Sequence, residues 1–181
     1  MKHYTPFFNT TIMKEIKPEE INDNFIKLIG SEWMLVTAGD KSDFNMMTAS
    51  WGGAGFLWAR PVVTIYVRPE RYTHEYIEKT NRFTLTFFPA TMRKTLALMG
   101  SQSGRTYDKM QEPTLSPIEL PSGEIAFDEA RLILDCEILY KDAMCADKFI
   151  NKQPLENWYG EAKGELHDIY IAEIKQAWIK E

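Results

Sequence analysis

Three short stretches of this 181-residue chain carry side chains suited to holding a ligand: Asn45-Met46-Met47-Thr48-Ala49-Ser50-Trp51-Gly52-Gly53, Arg68-Pro69-Glu70-Arg71-Tyr72-Thr73, and Ser101-Gln102-Ser103-Gly104-Arg105. A phosphate wants guanidinium forks, hydroxyls and free backbone N–H groups. Thr48, Ser50, Arg68, Arg71 and Thr73 supply these, and Thr73 is expected to cap a helix, whose N-terminus suits an anion. A wide, flat, apolar ring wants aromatic or aliphatic walls, with small residues where the backbone must come close. Ala49, Trp51, Gly52, Gly53 and Tyr72 fit that need. Each stretch has a plainer reading. Thr48-Ala49-Ser50 also suits an ordinary strand end. Arg68 and Arg71 have Glu70, Glu75 and Glu78 near in sequence as surface ion-pair partners. Tyr72, Trp51 and Trp58 also suit a core or a contact between subunits.

Other chemistries find no support. Gly52-Gly53-Ala54-Gly55 lacks the GxGxxG spacing, and Pro61 leaves no room for the helix that must follow a dinucleotide loop. No GxxxxGK[ST] occurs. His3, His74 and His167 are scattered without metal-site spacing, and no metal is expected. Ser50 and His167 come without a nucleophile elbow. Cys136 alternates with apolar residues and reads as an inert, buried thiol.

The elements that must position these residues read as mostly strands. Residues 1–17 read as an irregular arm. Pro18-Glu19-Glu20 is expected to open a helix with Ile21, Phe25, Leu28 and Ile29 on one face and Gly30 at its end. Trp33–Ala38 and Phe44–Trp51 form a strand pair around turn residues 39–43. Pro61 starts a strand to Val67, a helix runs from Thr73 to about Lys79, and Arg82–Phe88 alternates as a strand. Ala90–Met99 reads as a helix stopped by Gly100. Residues 101–121 read as a polar loop with at most one helical turn, and Arg131–Tyr140 as a strand. Leu166 onward fits both a helical and a strand period. Several strands with few helices and no βαβ alternation indicate a β-barrel or an α+β domain.

Composition sets the outer bounds. The length suits one domain over residues 1–181. The formal charge of -5 argues against nucleic acid and anionic membranes as partners. No apolar run approaches the roughly 20 residues of a membrane span, and the first residues lack a signal-peptide core. The two cysteines exclude a disulfide framework, so a cytoplasmic protein is expected.

A flavin mononucleotide has both needs set out above, a near-dianionic phosphate and a flat ring. Its reduced form also carries negative charge that nearby N–H groups or a cation stabilise. Asn45–Trp51 (NxMTASW), then Gly52-Gly53, Leu57-Trp58, a Pro-led strand and RPxRYT at Arg68–Thr73, resembles the flavin reductase-like FMN-binding proteins. That family includes flavin reductase components of monooxygenases and the flavoredoxins. The match is dense from Trp33 to Phe88, with weaker echoes at Ser103-Gly104-Arg105 and His167. The resemblance implies a split β-barrel of Greek-key type with a few peripheral helices, a homodimer, and FMN near the dimer interface. By position, Met47, Thr48, Ala49, Ser50 and Trp51 would line the flavin. Arg68, Arg71, Tyr72 and Thr73 would hold its phosphate and ribityl chain, with Ser103 and Arg105 near the phosphate. His167 would stand close to the ring as the candidate catalytic residue, although Ala172 replaces a glycine usual in relatives. The resemblance also tips the C-terminal segment toward a strand. The implied activity is reduction of FMN by NADH or NADPH, with hydride transfer to flavin N5. The alternative is a flavoredoxin-like electron carrier serving a protein partner, and a third reading is a ligand-binding module for haem or deazaflavin.

Overall fold

The computed structural model describes residues 13–180. Ten strands make up most of it: β1 (Met13–Ile16), β2 (Met34–Asp40), β3 (Asp43–Ala49), β4 (Gly52–Leu57), β5 (Arg60–Val67), β6 (Arg82–Phe87), β7 (Pro117–Glu119), β8 (Ile125–Phe127), β9 (Leu132–Ala143) and β10 (Asp168–Lys180). The helices are α1 (Phe25–Lys27), α2 (Tyr72–Thr80), α3 (Arg93–Ser101) and α4 (Gln153–Trp158), with single turns between them.

The main sheet is antiparallel and runs β3-β2-β6-β9-β10-β5-β4, and β1 pairs with β10. Its two outer strands, β3 and β4, are consecutive in sequence and joined only by Ser50 and Trp51. A sheet whose far edges are tied by so short a connector must curl until they meet. The edges are not hydrogen-bonded to one another in the strand order, so the barrel stays open along that seam. This is the split barrel with Greek-key crossings that the sequence resemblance implies.

Side chains alternate across the strands, as the pleat requires. Met34, Val36 and Ala38 of β2 face the barrel interior with Met47, Val63, Ile65, Leu85, Leu134 and Ala172. Leu35 points the other way, into a second core with Phe44, Met46, Leu96, Met99 and Phe127 beneath α3 and the β7–β8 hairpin. Phe83 and Phe87 are among the largest fully buried side chains. Each such burial contributes about 1.5–3 kcal/mol. The β2–β3 hairpin closes at Lys41-Ser42, where Asp40 Oδ1 accepts from the Ser42 and Asp43 amides at 2.7 and 3.3 Å. Gly39 takes φ +109° there, and a Cβ would lie 2.3 Å from the Asp43 carbonyl oxygen.

Several sequence expectations are corrected. The arm expected at 1–17 contains β1, which pairs Met13 with Lys180; the rest of that stretch lies outside the described residues. The helix expected from Pro18 breaks into a 3-10 turn at Pro18–Glu20, the short α1, and a π-type turn at Leu28–Glu32 that runs through Gly30. Gly100 likewise lies inside α3, not past its end. The glycine-rich 52–57 stretch forms β4, because close pairing with β5 leaves no space at Gly52: a Cβ there would meet the Thr64 carbonyl oxygen at 2.7 Å. The C-terminal segment is a 13-residue strand, since pairing with both β9 and β5 outweighs its helical period. Among the described residues no helix is long and apolar enough to cross a membrane.

Candidate functional site

The seam between β3 and β4 opens into a cleft of about 220 Å³. The end of β3 supplies Met47, Thr48 and Ala49, and the connector supplies Ser50 and Trp51. The opposite wall comes from Tyr66 near the end of β5, Arg68 just beyond it, and Arg71 at the head of α2. His167 stands one residue before β10, whose Asp168 pairs with Val67, so the strand register brings it beside Arg68. Trp158, the last residue of α4, completes the lining. Trp51 sits between Trp158 and His167, with ring centroids 5.2 and 5.1 Å away. No carboxylate lines the cleft, which carries two guanidinium groups against three aromatic walls.

His167 is 7% exposed, and its Nδ1 lies 2.9 Å from the Tyr159 hydroxyl. Burial, with the charge of Arg68 second, pushes the imidazole down to about 4. At neutral pH it is therefore an uncharged ring. An imidazole nitrogen is a far better acceptor than the Met144 thioether that the same hydroxyl reaches at 3.4 Å. Tyr159 therefore donates to Nδ1 and leaves the ring proton on Nε2.

The two arginines differ. Arg68 donates to the backbone carbonyls of Trp158 and Lys163 and lies 3.7 Å from Glu70. It thus ties the segment bearing Trp158 to the cleft wall. Arg71 spends one N–H on the Gly100 carbonyl at 3.1 Å, and burial lowers its pKa. A guanidinium carries five donors, so Arg71 keeps others for a ligand. Thr48 donates to the Leu96 carbonyl at 2.5 Å, which leaves its oxygen to accept but no proton to give.

Four expected ligand-binding residues stand outside the lining. Thr73 does not cap α2; Arg71 holds that position. Thr73 is 1% exposed, and its hydroxyl accepts from Asn45 Nδ2 at 2.8 Å. It clamps β3 to α2 and presents nothing to the cleft. Tyr72 packs edge-on to Tyr76 and lies under the Arg105 guanidinium, 4.8 Å from the ring centre. Arg105 is engaged with the Glu70 carbonyl and the Glu75 carboxylate. Ser103 caps its own turn, accepting from Thr106 and Tyr107 through its carbonyl. Gly104 presses this turn onto Asn45, where a Cβ would lie 2.2 Å from Oδ1.

Sequence reasoning missed Tyr66, Trp158 and Tyr159. Tyr66 carried a usable signal: it lies two residues before Arg68, on the same strand face. Trp158 and Tyr159 carried none, because α4 lies far along the chain from both motifs. His74, Glu78 and Asp168 also converge within 4.8 Å. Lys141 already bridges the two carboxylates, at 2.8 and 3.1 Å. The cluster is thus an ion-pair network.

The fold has clear relatives among solved structures. Flavoredoxin from Methanosarcina acetivorans is 21% identical at a TM-score of 0.64, over 93% of this chain and 76% of that one. An FMN-binding protein from Thermus thermophilus, solved with bound p-hydroxybenzaldehyde, is 20% identical at 0.64, over 93% and 82%. The NADH:FAD oxidoreductase of Streptomyces globisporus C-1027 is 19% identical at 0.60, over 83% and 78%. No curated protein sequence matches. The family model described as flavin reductase like domain matches residues 26–181. This chain therefore belongs to the flavin reductase-like domain family.

Proposed function

We propose that the chain binds FMN in the β3–β4 cleft and serves NADH- or NADPH-dependent flavin reduction. The observation that carries this reading is the lining: two guanidinium groups, three aromatic rings and no acid in one cleft. Bound FMN would supply an acceptor for hydride at N5. The residues present fit that group. Arg71 meets the phosphate with its remaining donors. Ala49 and Ser50 let the ring approach the backbone, and Trp51 and Tyr66 give it apolar walls. Arg68 holds Trp158 in place, which limits water at the ring edge. Neutral His167, with its proton on Nε2, donates a hydrogen bond into the cleft and needs no change of charge at neutral pH. Hydride transfer needs no side-chain acid; it needs the two rings stacked at near-contact distance.

The cleft is smaller than the roughly 300–1,000 Å³ of ligand pockets. A second copy of the chain supplies the missing wall in this reading. Phe56 and Trp58 are 71% and 54% exposed on the β4–β5 hairpin, with Tyr140 of β9 beside Trp58. Such an apolar face suits a homodimer contact.

The test is an absorbance spectrum after incubation with FMN and desalting, followed by anaerobic NADH and, separately, NADPH. Retained flavin bands that bleach support the reductase. Retained bands that persist assign an electron carrier for a protein partner. A protein that retains no flavin and also fails to reduce added FMN refutes the reading. Arg71→Ala should weaken FMN binding by about 1.5–3 kcal/mol, the scale of a charged hydrogen bond. Unchanged affinity in that variant removes Arg71 from the site.

A further inference from the structure

A second cavity, of about 410 Å³, shares no lining residue with the β3–β4 cleft. Its volume falls within the roughly 300–1,000 Å³ of small-molecule sites. Phe88, Pro89 and Ala90 follow β6, and with Leu96 of α3 they form its apolar wall. Glu32 of the π-type turn lines it too, with Arg93 and Arg131. Arg131 pairs with Asp23 at 2.9 Å and Glu32 at 2.8 Å, and Glu32 also meets Lys27 at 3.3 Å. Arg93 has no carboxylate partner among the described residues. It donates through Nη1 to the Ser31 and Glu32 carbonyls at 2.6 and 3.3 Å, and no hydrogen bond among those residues takes its Nε or Nη2. Lys27, Arg93 and Arg131 are thus set against the carboxylates of Asp23 and Glu32, which leaves one positive charge in excess.

Arg93 is also held in place in advance. Its guanidinium lies over the Trp33 ring, 3.1 Å from the centroid. Trp33 directly follows the π-type turn and takes φ +73° and ψ 155°, a backbone region that residues other than glycine avoid. Such turns and such strain gather at functional sites. A cation stacked on a ring and fixed by two carbonyls loses little freedom when an anion meets it. We propose that this cavity binds a small organic monocarboxylate with a compact apolar body, aryl or short alkyl. The carboxylate takes the Nε–Nη2 fork of Arg93, a geometry that a guanidinium matches with two parallel hydrogen bonds. The apolar body lies against Phe88 and Leu96. One surplus positive charge suits a monoanion, whereas a phosphate dianion would meet Glu32 as a like charge. The site is independent of the flavin reading and holds whether or not the β3–β4 cleft is filled.

The experiment is isothermal titration calorimetry with benzoate, its neutral isostere benzamide, and hexanoate. Wild type should bind benzoate or hexanoate saturably at one site per chain, and benzoate about tenfold or more tighter than benzamide, the lower end of a charged hydrogen bond. Arg93→Gln should weaken benzoate by about the same factor and leave benzamide within about twofold. Ala90 is exposed on the cavity rim, so Ala90→Phe fills the space without disturbing the core and should block both ligands. Arg71→Ala should leave benzoate binding unchanged, because Arg71 belongs to the other cleft. No saturable binding of either acid at millimolar concentrations overturns the proposal, and so does equal binding of benzoate and benzamide. Benzoate binding lost in Arg71→Ala but kept in Arg93→Gln places the anion in the β3–β4 cleft and overturns it as well. If Arg93→Gln fails to fold, Ala90→Phe decides, and unchanged benzoate binding in that variant overturns the proposal.

Discussion

Replacing His167 by glutamine should remove a block of acid sensitivity from the fold. In the unfolded chain the imidazole takes up a proton near 6.5; in the folded protein, burial beside Arg68 holds that step down to about 4. Between those values the unfolded state binds the extra proton and the native state does not. Stability contributed by neutral His167 is therefore full above 6.5 and is lost as pH falls toward 4. The full shift amounts to about 3 kcal/mol over that span, at about 1.36 kcal/mol per unit. The ring is 7% exposed, but it borders an open cleft, and solvent there screens part of the effect. The expected loss in the wild type is about 1.5–3 kcal/mol between pH 7 and pH 4. Glutamine keeps a side-chain N–H and carries no proton to gain. Urea denaturation followed by circular dichroism at pH 7, 6, 5 and 4 gives both curves. The wild type should fall relative to His167→Gln by that margin, worth about 2–4 °C in Tm per kcal/mol for a chain of this size. Parallel curves would refute the claim that His167 is held neutral by burial.

Glu124 should act with the opposite sign. Burial lifts its carboxyl to about 7, and Arg82, 3.7 Å away, spends its guanidinium on Asp135 at 3.0 Å. Its contribution is full below 4.5 and is lost as pH rises through 7, so Glu124→Gln should gain about 1–3 kcal/mol over the wild type by pH 8, and no gain there would refute it. Asn45→Ala removes the donor to buried Thr73 and should cost about 1–3 kcal/mol in urea denaturation. A loss below about 0.5 kcal/mol would mean that this bond does not clamp β3 to α2. Tyr159→Phe should free the His167 proton to redistribute between the two ring nitrogens, seen in the nitrogen-15 shifts of the ring; unchanged shifts would show that Tyr159 does not fix the tautomer.

Much of the site was legible because local motifs happen to be its two main walls. Thr48 to Trp51 and the Arg68/Arg71 pair are close in sequence within each wall, and the strand seam brings the walls together. The same motifs misled where packing reassigns a polar group. Thr73 looks like a cap for an anion, yet Asn45, a residue of the other motif, takes its hydroxyl. Arg105 looks like a free cation, yet the side chains of α2 engage it. The β10 segment was ambiguous because Leu166, Ile169, Tyr170 and Ala177 suit a helix as well. Only its pairing with β9 and β5, invisible to periodicity, decides the matter.

The position of β10 also fixes when the site can come into being. β5 reaches β9 only through β10, and β1 is held only by β10. These pairings join parts of the chain far apart in sequence, Met13 with Lys180 in the extreme. Such contacts are slow to form because a long loop must close before any pairing rewards it. During synthesis the β2–β3 hairpin can fold early, carrying Thr48 and Ala49 on a finished edge. The β4–β5 hairpin that leads to Arg68 has no link to the rest of the sheet, and His167 no place beside it, until β10 pairs. The cleft is therefore assembled only once β10 is in place, and a nascent chain without β10 holds one wall of the cleft without the other.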